Sequence, residues 1–151
     1  MKWLISVSSL LLSLCVYSQE ITIGKISNKI VHGDLIGNRN LEFGIKNILE
    51  ELVQDQGYDL VENSESILEV DLLYFDVKRT STNAAVFTKT NNQVEIIAEG
   101  RFNGKKVKVK ATADNIITST IILNNQGTFN QQSVSTALKR LCNQIIDKLK
   151  L

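Results

Sequence analysis

The segment NQVEIIAEGRFNGKKVKVKATA, residues 92–113, decides the fold. Asn103-Gly104 at its centre is a two-residue hairpin signal, because both turn positions need positive φ and Asn and Gly tolerate it best. Folding about that turn pairs Phe102 with Lys105 and sets every later pair. Gly100 meets Val107, Ala98 meets Val109, Ile96 meets Ala111 and Val94 meets Ala113, all on one apolar face. The other face puts Glu99 opposite Lys108 and Ile97 opposite Lys110. A slip of one residue would send both sets to the wrong side together, so turn chemistry and alternation agree on the register. Lys106, Lys108 and Lys110 become a stripe on the solvent side, read as a solvated, partly ion-paired face in preference to a phosphate or glycan patch. Gly100, on the core side, lets a helix approach the sheet closely.

Outward from the hairpin, periodicity switches. Residues 20–26, EITIGKI, predict a first strand, and the Asn- and Gly-rich run SNKIVHGDLIGNRN behind it a loop. Leu41, Ile45, Ile48 and Leu52 recur at helical spacing, with Leu49 and Val53 widening the apolar face, so a helix is predicted over 40–56. Asn38 or Asn40 can cap its start, and Gly57 can take the left-handed conformation that ends it. YDLVE (58–62) and ILEVDLLYFDVKR (67–79) predict strands, and TSTNAAVFTKTNN (80–92) a loop. IITSTIIL (116–123) is β-prone, with Asp114-Asn115 either a tight turn or a kink in one long strand. A second helix is predicted over 131–149, with Ser133 as a candidate cap. Val134, Leu138, Leu141, Ile145 and Leu149 form its buried stripe, and Cys142 lies beside that stripe as a buried structural thiol. Strands that precede a closing helix without alternating with it define an α+β domain.

ILEVDLLYFDVKR breaks its own alternation. Leu68, Val70 and Leu72 share one face and Glu69 and Asp71 the other, but strict alternation would then expose Leu73, Phe75 and Val77. Two readings stand. A β-bulge at Leu72-Leu73 would switch faces and turn Phe75 and Val77 inward. Without it, Leu73, Phe75 and Val77, with Val86 and Phe87 of the neighbouring loop, would form an exposed apolar surface for a partner.

Residues 1–18 carry the three zones of a secretory signal: Lys2, an apolar stretch from Trp3 to Val16, and the exit Val16-Tyr17-Ser18. The stretch is too short to span a bilayer, which takes about 20 apolar residues. Cleavage after Ser18 leaves a soluble chain starting at Gln19; cleavage before Cys15 would leave a lipid anchor. A lipid-attachment box needs a small residue ahead of its cysteine, and Leu14 stands there, so cleavage after Ser18 is the expected outcome. The organisation is then a signal peptide, 1–18, and one α+β envelope domain, 19–151.

With the signal removed, Lys2 goes and no acid does, so 17 basic residues become 16 against 16 acidic ones. A neutral chain has no electrostatic footprint for nucleic acid. Cys142 is then the one remaining cysteine, so no intrachain disulfide forms. A single histidine, His32, and a single cysteine supply too few ligands for a zinc site. A serine triad would have to run through His32 and Asp34, yet no G-x-S-x-G elbow accompanies them. The glycines form neither a phosphate loop nor a dinucleotide fingerprint. Glu69 and Asp71 share a strand face as paired glycosidase carboxylates can, and also as the charges of any half-exposed strand do. No catalytic residue, metal or cofactor is expected.

The order of pieces resembles a known family. IGNRN leads into a helix ending in D-Q-G-Y, then come a short strand, ILEVDLLYFDV, the hairpin VEIIAEGRFNGKKVKVKA, a GTF segment and a helix opening QQSVSTAL. This is similar to the YajG-like family of bacterial cell-envelope lipoproteins, over most of residues 21–150. The resemblance implies an antiparallel sheet of about five strands with two helices packed on one face, and no catalytic residues. Leu14 departs from the family's lipid box, and residues 116–125 look like an insertion.

The function expected is that of an exported, non-catalytic protein-interaction or assembly-accessory module whose partner is an unidentified envelope protein. The alternative is a periplasmic module binding lipid or glycan in an apolar groove between sheet and helices. Membrane association is expected only if Cys15 is lipidated.

Overall fold

The computed structural model describes residues 19–31, 41–84, 87–120 and 131–151. The hairpin forms in the register that its turn demands. Asn103 (φ 46°) and Gly104 (φ 76°) make the turn between β4 (Phe87–Phe102) and β5 (Lys105–Thr120). Gly100 faces Val107, Ala98 Val109, Ile96 Ala111 and Val94 Ala113. Asp114-Asn115 makes no turn, and β5 runs straight through it, opposite Gln93 and Asn92.

β1 (Glu20–Asn28) leads through α1 (Leu41–Asp55) to the two-residue β2 (Asp59–Leu60), and β3 (Ile67–Ala84) follows; α2 (Gln131–Leu149) closes the chain. The sheet order is β2-β1-β3-β4-β5. It is mostly antiparallel, as expected, but mixed: β1 runs parallel to both β2 and β3. The reason is the helix between β1 and β2. Parallel neighbours need a crossover connection, and α1 supplies one. The link from β2 to β3 then passes the start of β1, tied there by Val61 N–H to Ile21 O (3.0 Å) and Thr22 N–H to Ser66 O (2.9 Å).

Within TSTNAAVFTKTNN, residues 80–84 and 87–92 are strand and not the loop expected. β3 continues to Ala84 and β4 begins at Phe87, with Ser81 opposite Thr90 and Thr82 opposite Lys89. Threonine suits a pleated surface, and two long neighbours satisfy the backbone that a loop would leave to water.

Both helices cover one face of the sheet. α1 buries Leu41, Ile45, Leu49 and Val53 at strict four-residue spacing, with Ile48 and Leu52 on the flank. Gly57 (φ 87°) ends it as expected: Gly57 N–H reaches Gln54 O and Tyr58 N–H reaches Val53 O, the paired bonds of a Schellman stop. α2 buries Val134, Leu138, Leu141, Ile145 and Leu149 together with Ala137, Cys142 and Ile146. Each large side chain so buried contributes about 1.5–3 kcal/mol against exposure. Cys142 is free and buried, as its position beside the stripe predicts. The predicted α1 caps, Asn38 and Asn40, lie outside the described residues.

Candidate functional site, the open face of the sheet

The face that the helices leave uncovered is built on β3, β4 and β5. Its character is set at one point, the break in ILEVDLLYFDVKR. Leu72 pairs with Ala98 and Tyr74 with Ile97, so Leu73 is the extra residue of a bulge. Lys29 N–H takes the carbonyl of Leu72 there, at 2.8 Å. Beyond the bulge Phe75 turns inward opposite Ile96 and is 1% exposed. Phe75 therefore is not part of a partner surface, and of the two readings of this strand the bulge is the one adopted. Val77 follows it inward and packs against the core. Leu73 is half-buried at the bulge. Val86 lies outside the described residues, as does the side chain of Phe87.

Charges organise the rest of this face. Asp71 stands directly opposite Glu99, a like-charge pair that is unfavourable unless bridged. Arg101 bridges it, with Nη1 2.7 Å from Asp71 Oδ2 and 3.5 Å from Glu99 Oε1, while its Nε reaches Glu69 Oε2 at 3.2 Å. Lys29, just past the end of β1, adds Nζ at 2.7 Å from the same Asp71 oxygen. Two cations thus cover one carboxylate, and Asp71 is only 2% exposed although it points away from the core. The Lys29 hydrogen bond holds its carboxyl below the usual range; burial pushes the other way, and Arg101 adds to the lowering. On β5, Lys106 pairs with Glu99 and Lys110 with Glu95, both at 2.9 Å. The solvated, ion-paired reading of the lysine stripe holds, with one change: Glu99 engages Lys106 on the diagonal, not Lys108 opposite it.

This geometry bears on chemistry. A glycosidase acid needs a raised pKa, and Asp71 is moved the wrong way by two bound cations. Glu69 is tied to the same guanidinium. His32 and Asp34 lie outside the described residues. Among the described residues no cluster of three or more His, Cys, Asp and Glu side chains could hold a metal ion. An open groove of about 430 Å³ lies at the turn end of this face, between Ile67 and Glu69 of β3, Arg101, and Lys106. It lies outside the sheet-helix interface, which the buried core cluster fills.

What sequence reasoning missed is the pairing of Lys29 and Arg101 on Asp71. Alternation placed Asp71 on the solvent side, but Lys29 reaches it from a segment read as loop.

A mostly antiparallel sheet with two helices on one face and a charge-laddered second face that those helices leave open defines a two-layer α+β domain. The chain belongs to the family described as uncharacterized lipoprotein, whose model matches residues 21–151. The likeness to YajG-like envelope lipoproteins seen in the sequence stands with that match. Similar solved structures include a minor lipoprotein from Acinetobacter baumannii, at 16% identity over 82% of this chain and 90% of that one, TM-score 0.48. Another is the hypothetical protein CT253 from Chlamydia trachomatis, at 8% identity, 88% and 96% coverage and TM-score 0.48. A third is lipoprotein GNA1162 from Neisseria meningitidis, at 10% identity, 85% and 99% coverage and TM-score 0.39. No curated protein matches the chain. No helix among the described residues is long and apolar enough to cross a membrane.

Proposed function

We propose that this chain is an exported, non-catalytic envelope protein that docks a protein partner on the open face of its sheet. The supporting observation is that both helices cover one face, while the other presents pre-oriented ion pairs around half-buried Leu73, Tyr74 and Ile97. Tyr74 and Ile97 are cross-strand partners beside the bulge, and Tyr74 is oriented by its hydroxyl's bond to Asp76 (3.1 Å). Aromatic and aliphatic side chains set among fixed charges are the make-up of a protein-docking surface. Side chains already held by partners lose little freedom on binding.

The domain begins at Gln19 after cleavage of residues 1–18. The lipoprotein family favours an anchor at Cys15, but Leu14 in front of that cysteine disfavours it.

The test is site-specific crosslinking in the native envelope, comparing wild type with Leu73→Ser/Ile97→Ser. Lost crosslinks with an unchanged melting temperature support the reading. Unchanged crosslinks at a folded double variant overturn it.

A further inference from the structure

The edge of β5 offers a more specific surface. β5 is the terminal strand of the sheet among the described residues. Its turn determines which of its backbone groups are spent. In a two-residue hairpin the closing pair, Phe102 and Lys105, exchanges both hydrogen bonds, and bonded pairs recur at every second residue. Odd-numbered residues of β5 therefore bond to β4, and Lys106, Lys108, Lys110 and Thr112 turn their N–H and C=O groups to the open edge. One contact checks this independently: Arg140 of α2 donates from Nη1 to Thr112 O at 2.7 Å, so that carbonyl does face outward.

The same even-numbered residues put their side chains on the uncovered face. Between the hairpin turn and the Arg140 cap, the edge is thus a backbone template flanked by three exposed ammonium groups. Within the sheet two of these cations are matched by an acid one strand away, Lys106 by Glu99 and Lys110 by Glu95. Lys108 has no ion-pair partner among the described residues, because Glu99 opposite it is taken by Lys106 and Arg101. Across the face the charge runs from acidic on β3 (Glu69, Asp71) to basic on β5.

We propose that the β5 edge over Lys106–Lys110 accepts an extended segment of a protein partner carrying Asp or Glu at alternate positions, added as a sixth strand. Main-chain bonds to the free groups supply affinity, and cross-strand carboxylates beside the lysines supply selectivity. A second copy is refused by the same feature, since β5 against β5 over this stretch places lysine beside lysine. Lysines on an edge also deter indiscriminate strand pairing, so the device admits acidic strands and rejects others. This rests on the partner-docking reading above and names the partner's chemistry.

The experiment uses the folded chain and three short capped peptides of Thr/Val background, with Glu, Gln or Lys at alternate positions, followed by amide NMR and hydrogen exchange. The Glu peptide should bind, protect the amides of Lys106, Lys108 and Lys110 and spare those of Val107 and Val109. Replacing the three lysines by glutamate should transfer the preference to the Lys peptide, weakening the Glu peptide by roughly tenfold or more. Equal binding of the Gln peptide, no binding of the Glu peptide at millimolar concentration, or protection at sites other than the edge would each overturn the proposal. Envelope crosslinks that survive the triple charge reversal but vanish in Leu73→Ser/Ile97→Ser would sink this inference and leave the docking reading standing.

Discussion

A Cβ placed on Gly100 would lie 2.7 Å from Cγ2 of Ile145, closer than real side chains approach one another. The methyl it meets hangs from the branched carbon of a helical isoleucine, whose χ1 has one strongly preferred well. Helix α2 therefore rests against the sheet at the position where β4 has no side chain. Gly100→Val should cost about 1–3 kcal/mol by overpacking. Ile145→Ala removes the obstructing methyl, so in the double variant the two changes should cost less than their sum. Chemical denaturation of all three variants checks this, and strict additivity would show that the contact is not tight.

Phe75 lies 1% exposed opposite Ile96. Phe75→Glu would bury an unpaired carboxylate and should unfold the domain or lower its melting temperature severely. A near-wild-type melt would mean that the bulge at Leu73 is absent and that Phe75 faces solvent.

Asp71 carries a pH signature. Its folded pKa is depressed, chiefly by the Lys29 hydrogen bond, so its contribution is complete above the ordinary carboxylate value of 3.8 and is lost as pH falls through the lower folded value. Asp71→Asn should cost about 1.5–3 kcal/mol at neutral pH, in the range for hydrogen bonds to charged groups. The gap between wild type and variant should narrow once the pH drops below that ordinary value. Denaturation at a series of pH values reads it directly, and a pH-independent gap would contradict the assignment.

Burial pushes the Cys142 thiol up to about 12. A thiol that is protonated and enclosed is a poor nucleophile. Iodoacetamide should leave native protein unlabelled at pH 8 and label it quickly in denaturant. Rapid native labelling would show that α2 opens over Ile45, whose carbonyl lies 4.0 Å from the sulfur.

Intact mass of the exported chain settles its start. A mass beginning at Gln19 is the expected result, and a diacylglyceryl adduct on a chain beginning at Cys15 would replace it with an anchored form.

Local chemistry made much of this molecule legible in its sequence. The register of residues 92–113 follows from one Asn-Gly turn and an alternation with no second solution. Both helices follow from apolar spacing, and the stop at Gly57 and the close approach at Gly100 follow from the missing side chain. What the sequence left open was non-local. Alternation alone could not say whether Leu73 was bulged or Phe75 exposed, because that depends on which residue of β4 faces which residue of β3. The parallel placement of β1 depends on where α1 packs, and residues 80–84 and 87–92 of the Asn- and Thr-rich run become strand because long neighbours pair with them. The open face follows the same division. Its lysine stripe and acidic strand can be read from residues two apart, and the burial of Asp71 cannot. Lys29 and Arg101 converge on that carboxylate from 42 and 30 residues away in the chain, and only the folded sheet brings them within 2.7 Å.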